Sequence, residues 1–534
     1  MFKIIEIENF KAFGELQKIP LKPITLIFGP NSSGKSSIIH SLIYLHHALK
    51  TENLDVVNTK KGGSSVDLGG LEQLVHKHNL NNRISWGAEI DSEVFKNNGF
   101  NFGEPGYRPI FNNAAVIFDE KTKITLRLSI GVELDDQDKP LKGEKPKIYS
   151  YEIFAGGKEF LKFSLRPDGK FKLDLVNNEN LLTKRVIRFI SQSRFRPSDP
   201  SLEQDLEELI PILRFDTNSF LPYSVTEDLD IDTSRGRKMY FVSFFNAFTK
   251  FLKDYLEEEL ENLEYLGPLR SYPPRIIETA EDNDPNFKAG GGFAWKRVLE
   301  DQKLRQKVNK WLSSGENLQT PYELGVRNLH TIDKLDQYYK KNIIKVLENT
   351  FLEDHEIQPD IWSEAEGALL DIKEFEEEIA VRKELVITDK RTKTEVTHRD
   401  IGIGISQVLP VLVSAMGNKN KTIAIEQPEI HLHPAIQAEL GDIFIEGAKD
   451  NGNCFLLETH SEHLILRLLR RIRESSDNDL KSESKFSNED LMVLYVEPDK
   501  NGSKVYEIPI DEEGDFLKPW PQGFFAERSK ELFS

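Results

Sequence analysis

Apolar and polar side chains alternate over residues 2–10, FKIIEIENF, which predicts a half-buried strand. The unbroken apolar run Ile24-Thr25-Leu26-Ile27-Phe28 predicts a second, fully apolar strand. Beyond the glycine turn that follows it, Ile38 to Leu49 predicts a helix. Shorter runs, Ala115 to Phe118, Ile124 to Leu128 and Tyr149 to Phe154, predict an antiparallel sheet continuing this N-terminal lobe. Helical periodicity dominates later, in Leu202 to Leu213, Phe241 to Leu263, Trp295 to Leu312 and Thr331 to Leu352. The longest of these patterns covers about six turns, which excludes long coiled-coil arms. Near the C-terminus, Leu491 to Val496 and Ser503 to Ile508 flank Asp499-Lys500-Asn501-Gly502, a hairpin pattern.

A chain of 534 residues has room for two or three structural units. Its 70 Lys and Arg against 88 Asp and Glu give a net charge of −18, which repels a polyanion unless basic residues gather on one face. Basic clusters are few: Lys184 to Arg188, Arg194 to Arg196, Arg235 to Lys238 and Arg467 to Arg473. The acidic runs Glu257 to Glu259 and Glu376 to Glu378 read as solvated helix faces. A single cysteine, Cys454, excludes an intrachain disulfide framework and suits a reducing compartment. Met1 to Glu6 carry no signal-peptide pattern, and the apolar runs fall short of the ~20 residues that span a bilayer. A soluble, cytoplasmic protein with no membrane partner is expected.

The turn after Phe28 reads Gly29-Pro30-Asn31-Ser32-Ser33-Gly34-Lys35-Ser36-Ser37, a complete G-x-x-x-x-G-K-[ST] pattern between a strand and a helix. Gly34 lets backbone N–H groups approach phosphates and the helix N-terminus adds partial positive charge. Lys35 reaches the outer phosphates, and Ser36 can ligate Mg²⁺. Far downstream, Thr422 to Glu426 is an apolar strand ending in a carboxylate suited to hold Mg²⁺ through water. Gln427-Pro428-Glu429-Ile430-His431-Leu432-His433-Pro434 follows, then Phe455-Leu456-Leu457-Glu458-Thr459-His460-Ser461. Between the motifs, Asp400-Ile401-Gly402-Ile403-Gly404-Ile405-Ser406-Gln407 forms a Gly/Ser loop at a helix start, able to bind an anion or to serve as an ordinary capped turn. A competing reading of His431, His433 and His460 with Glu426 and Glu429 is a metal cluster.

Taken in order, these segments resemble the ABC-type, AAA-class ATPase heads of SMC-like repair proteins and of the overcoming-lysogenization-defect group. The resemblance rests on NFKAF, the P-loop, the G-x-G-x-S-Q loop, EQPEIHLHP and ETHS, and covers about the first 75 and last 145 residues. It implies an α/β fold, an ABC-type P-loop ATPase head formed by both chain ends, with a large mixed β and helical insertion. The implied division is 1–85 for the first half of the head, 86–180 for a β extension, and 181–390 for a mainly helical insertion. Residues 391–475 form the second half of the head, and 486–534 a hairpin with an aromatic tail.

Family logic further implies that two copies sandwich ATP, each P-loop facing the partner copy's Gly402, Gly404 and Ser406. His460 matches the switch histidine at the γ-phosphate, and Gln73 stands for the Q-loop glutamine. ATP and Mg²⁺ are the implied cofactors, with Ser36 and Glu426 on the metal. Glu426, Gln427, Glu429 and His460 are the candidate catalytic residues. The usual glutamate base after the Walker B acid is here Gln427, whose amide can orient water but cannot accept a proton, so slow turnover is expected.

The tail, Asp515-Phe516 and Trp520 to Arg528, together with Leu266-Gly267-Pro268-Leu269-Arg270, resembles a prokaryotic subgroup that includes the ATPases of Septu-type and retron-associated anti-phage systems. Members work beside a separate nuclease. The leading expectation is a homodimeric or larger ATPase that controls such a nuclease, with nucleic acid as a further partner. Alternatives are a DNA repair clamp and a non-hydrolysing, ATP-bound scaffold.

Overall fold

The structure, a computed structural model, describes residues 2–97, 100, 117–118, 122–194, 201–226, 236–270, 284–313, 320–329, 382–396, 403–477 and 485–520. They divide into two compact units. The first holds residues 1–270, 288–290 and 414–534, the second 271–287 and 291–413.

The first unit contains a six-stranded sheet. In spatial order its strands are Leu263–Leu266, Thr422–Glu426, Cys454–Glu458, Ile24–Phe28, Leu491–Glu497 and Lys504–Glu507. The first five run parallel, and only the last, at the end of the hairpin, is antiparallel. Runs such as ITLIF and CFLLE are buried at every position, as strands covered on both faces must be. Both chain ends therefore build the α/β head. The middle of the chain also contributes the edge strand Leu263–Leu266, so it is more than an insertion.

Helix Pro434–Asn451 starts at His433, whose Nδ1 accepts the N–H of Ala435 at 3.3 Å, with Pro434 in the first turn, where a missing N–H costs nothing. The cap takes up Nδ1 of His433, and among the described residues no group of three or more His, Cys, Asp and Glu is placed to hold a metal ion.

A nine-stranded antiparallel sheet completes the unit. It runs from Leu221–Val225 through Arg214–Asn218, Phe171–Val176, Lys158–Leu165, Lys147–Ala155, Lys123–Gly131 and Ile84–Asp91 to Ile4–Glu8 and Gln17–Pro20. Period-two burial, clear in KITLRLSIG, gives it one apolar face. Helix Gly236–Glu261 lies in the same core, where Phe248 and Phe251 stack on Phe95 at 5.7 and 4.6 Å. Ala115 to Phe118, read as a strand, falls partly outside the described residues; Ile117 within them is helical.

In the second unit, helices Gly292–Glu300 and Gln302–Ser313 replace the single helix expected over Trp295 to Leu312. The break is at Asp301, which is extended (φ −98°, ψ 102°) and caps the second helix by accepting Leu304 N–H at 3.0 Å. Strands Tyr322–Leu329, Arg382–Asp389 and Thr394–Val396 form an antiparallel sheet. The side chain of Asn309 holds the second helix to it through both N–H and C=O of Leu324. Helix Ile403–Gly417 begins in this unit. The helix expected over Thr331 to Leu352 lies outside the described residues.

Candidate nucleotide site

The strand Ile24–Phe28 ends at a loop whose shape depends on two glycines. Gly29 has φ +147°, and a Cβ there would lie 2.4 Å from Val496 O; Gly34 has φ +95°, and its Cβ would lie 2.3 Å from Ala12 Cβ. A side chain at either position would collide with Val496 or Ala12 and distort the loop. Helix Lys35–Thr51 starts directly after it, aiming free N–H groups at the loop. Lys35 Nζ donates to Gly29 O and Pro30 O, at 3.1 and 2.9 Å, and lies 3.9 Å from Glu458. Ser33 Oγ is buried without a hydrogen-bond partner among the described residues. A glycine cradle, a helix N-terminus and an orphaned buried hydroxyl together fit a phosphate chain.

Parallel pairing puts Glu426 and Glu458 directly opposite each other at the ends of neighbouring strands. Ser36 Oγ donates to Glu458 Oε2 at 2.6 Å. Burial, and then the charge of Glu426, push the Glu458 carboxyl up to about 7. Burial lowers the Lys35 ammonium, while Glu458, Glu426 and Glu429 oppose that shift. Oxygen donors from Ser36, Glu426 and Glu458 are a donor set suited to Mg²⁺.

The Glu426 carboxylate is held from behind. Tyr265 donates to Oε1 at 2.9 Å, and His40 Nε2 lies 3.3 Å from the same oxygen. Arg270, buried and lowered by burial to about 10, donates to the carbonyls of Glu426 and Gln427 at 3.0 and 3.1 Å. Gln427 turns the chain with φ +47°, its N–H bonded to Glu458 O at 2.7 Å. Glu429 is buried, its carboxyl pushed up by burial, and its Oε1 accepts the N–H of His460 at 2.7 Å. Burial, then Lys35, lowers the His460 imidazole, which favours its neutral form.

The structure thus gathers the P-loop residues with Glu426, Gln427, Glu429 and His460. Gln73 is exposed on the short helix Leu71–Leu74, its side chain against Gly69. Gly402 lies outside the described residues. Gly404 and Ser406 sit in the first turn of helix Ile403–Gly417, in the second unit, with Ser406 fully buried.

Tyr265, His40, Lys11 and Glu458 are additions that motif reading missed. A signal existed for two of them: Glu458 closes an apolar run as Glu426 does, and His40 follows Ser36 by four residues, one helical turn. The C-terminal segment also reaches the loop. Ser503 N–H donates to Ala12 O at 2.7 Å, and Trp520 packs edge-on against Phe28, the residue before Gly29, with centroids 5.1 Å apart.

The family described as "AAA domain, putative AbiEii toxin, Type IV TA system" matches residues 24–467, which carry the P-loop, Glu426 and His460 alike. The chain belongs to this family. Residues 487–534 of this AAA-type protein also match a family of proteins of unknown function, DUF3696. A chromosome partition protein Smc from Synechocystis sp. is 30% identical over 129 residues, 24% of this chain and 10% of that protein. Its counterpart from Gloeobacter violaceus is 51% identical over 43 residues, 8% of this chain and 4% of that one. The AAA-type chain thus spans a tenth or less of the length of these curated relatives.

Among solved structures, an Smc head bound to the C-winged helix domain of ScpA aligns with TM-score 0.36 and 9% identity, over 95% of this chain and 98% of that one. The SMC head domain from Thermotoga maritima aligns with TM-score 0.30 and 10% identity, over 95% and 99%. No helix of the described residues is long and apolar enough to cross a membrane.

Proposed function

We propose that this AAA-type head binds ATP with Mg²⁺, pairs with a second copy through the nucleotide, hydrolyses ATP slowly and controls a separate nuclease in anti-phage defence. One observation carries the reading: Lys35, Ser36, Glu426 and Glu458 converge beside a glycine cradle at the ends of neighbouring strands. Lys35, now bonded to two loop carbonyls, would turn to the outer phosphates. Ser36 and Glu426 would hold the cation, which would neutralise phosphate charge. Ser36 would give up its hydrogen bond to Glu458, freeing both oxygens for the cation.

Gln427 orients the attacking water without accepting its proton, which makes turnover slow. Glu429 fixes the backbone of His460 and so aims the imidazole at the γ-phosphate. Gly402, Gly404 and Ser406 complete the site on the opposing copy.

The family description, a putative toxin of a toxin–antitoxin system, supports the defence reading. The Smc similarity supports a second one, a DNA clamp. Against that second reading, the basic run is neutralised. Arg467 pairs with Glu439 and Asp442, Arg471 with Asp442 and Glu474, Arg470 with Glu474, and Arg473 with Asp515.

Copurification from the native operon, followed by mass measurement with and without ATP, separates these readings. Recovery of a nuclease and an ATP-dependent dimer, with phage resistance lost in Lys35→Ala, is expected. Recovery of a repair exonuclease, with resistance unaffected, contradicts the defence role.

A further inference from the structure

We propose that Lys11 and His40 are positioning residues that act in series on Glu426, fixing which carboxylate oxygen faces the cation. The inference rests on the ATP–Mg²⁺ reading above and adds to it two residues that the P-loop and Walker B patterns leave out.

The three groups form one line. Lys11 Nζ lies 3.2 Å from His40 Nδ1, and His40 Nε2 lies 3.3 Å from Glu426 Oε1. A lysine ammonium has donors and no acceptor, so Nδ1 must be the accepting nitrogen. The imidazole proton is then on Nε2 and points to the carboxylate. Lysine thereby sets the tautomer, as a hydrogen bond on one ring nitrogen generally decides the state of the other. Tyr265 donates to the same Oε1 at 2.9 Å. Both contacts fall on one oxygen, so a cation can be met by Oε2 without displacing either.

The placement is built in at both ends. Lys11 sits in left-handed backbone, φ +47°, its N–H bonded to Leu74 O at 2.6 Å and its C=O accepting His76 Nδ1 at 2.7 Å. Those bonds fix where its side chain starts. His40 lies one turn after Ser36 on helix Lys35–Thr51, so the helix that presents the serine hydroxyl also presents the imidazole. Glu426 needs such a restraint because Glu458 is its register partner and repels it. With Gln427 unable to take a proton, turnover depends all the more on the geometry of the remaining acid.

The test compares His40→Ala, His40→Gln, Lys11→Met, Lys35→Ala and wild type in three measurements. These are the Mn²⁺ affinity of the ATP complex by electron paramagnetic resonance, the affinity for a fluorescent ATP analogue in EDTA, and kcat and KM for phosphate release. Thermal melting checks folding. Removing a supporting partner of a metal ligand typically weakens metal binding by about 10- to 100-fold. His40→Ala is therefore expected to weaken Mn²⁺ by about tenfold and to lower kcat with KM unchanged, while metal-free binding stays at the wild-type level.

His40→Gln, whose amide can donate to Glu426 and accept from Lys11, should recover most of the loss. Lys11→Met should fall between the two. Wild-type Mn²⁺ affinity in folded His40→Ala and Lys11→Met, or a glutamine variant as impaired as the alanine one, overturns the inference. If Lys35→Ala leaves metal-free ATP binding intact, the nucleotide-site reading itself has failed instead.

Discussion

The nucleotide face of the parallel sheet and helix Glu462–Asp477 are both crowded with charge, and they handle it in opposite ways. On the helix, each of Arg467, Arg470, Arg471 and Arg473 meets a carboxylate at 2.6 to 2.9 Å. At the sheet ends three buried carboxylates, Glu426, Glu429 and Glu458, crowd together, and Glu429 and Glu458 are pushed up. The paired surface is scaffold. That crowding, met by Lys35 only at 3.9 Å from Glu458, is where a cation would lower the energy most, and it singles the cluster out as a site.

The contrast can be broken at graded cost. Arg270→Ala has the largest expected effect on stability, because it removes a buried cation and strips the carbonyls of Glu426 and Gln427 of their donors. A loss of about 3 kcal/mol in urea unfolding is predicted; a loss below about 1 kcal/mol would mean that other donors take over.

Glu458→Gln should act in the opposite direction. Since its carboxyl is raised from 4.5 to about 7 in the fold, the folded state keeps a proton that the unfolded chain releases between those values. The Glu458 contribution to stability without metal or nucleotide should therefore fall as pH rises from about 4.5 to about 7, then level off. The glutamine variant has no such proton, so it gains on the order of 3 kcal/mol over wild type at pH 8 and nothing below pH 4.5. Parallel pH curves for the two proteins would remove Glu458 from the account.

Trp520→Ala should cost about 1 to 2 kcal/mol by losing ring contacts to Phe28, Tyr495 and Phe516. ATP affinity should weaken with it, since Phe28 precedes the loop; an unchanged affinity would confine the tail to a structural role. Arg470→Ala, on the mostly exposed helix face, is expected to shift stability by less than about 0.5 kcal/mol. A larger change would make the paired helix more than scaffold.

Motif reading found the P-loop and the Glu426 strand because their chemistry is written in consecutive residues. The α/β head was legible for the same reason, as fully apolar runs ending in Gly29 and Glu426. Other parts depend on adjacency that no local pattern carries. Glu458 matters because its strand lies beside that of Glu426, and Tyr265 and Arg270 matter because an edge strand from mid-chain joins the head. Lys11 and His40 come together only when a left-handed residue near the N-terminus meets the P-loop helix. The break at Asp301 was hidden because a capping aspartate between two apolar periodicities looks like one more polar helix position.

The measurement that bears most directly on the central claim is phosphate release by the purified protein with Mg²⁺ and ATP, run beside Lys35→Ala. Slow turnover that disappears with Lys35 is predicted. Turnover unchanged by the substitution, or ATP binding that does not need Lys35, would contradict the site described here.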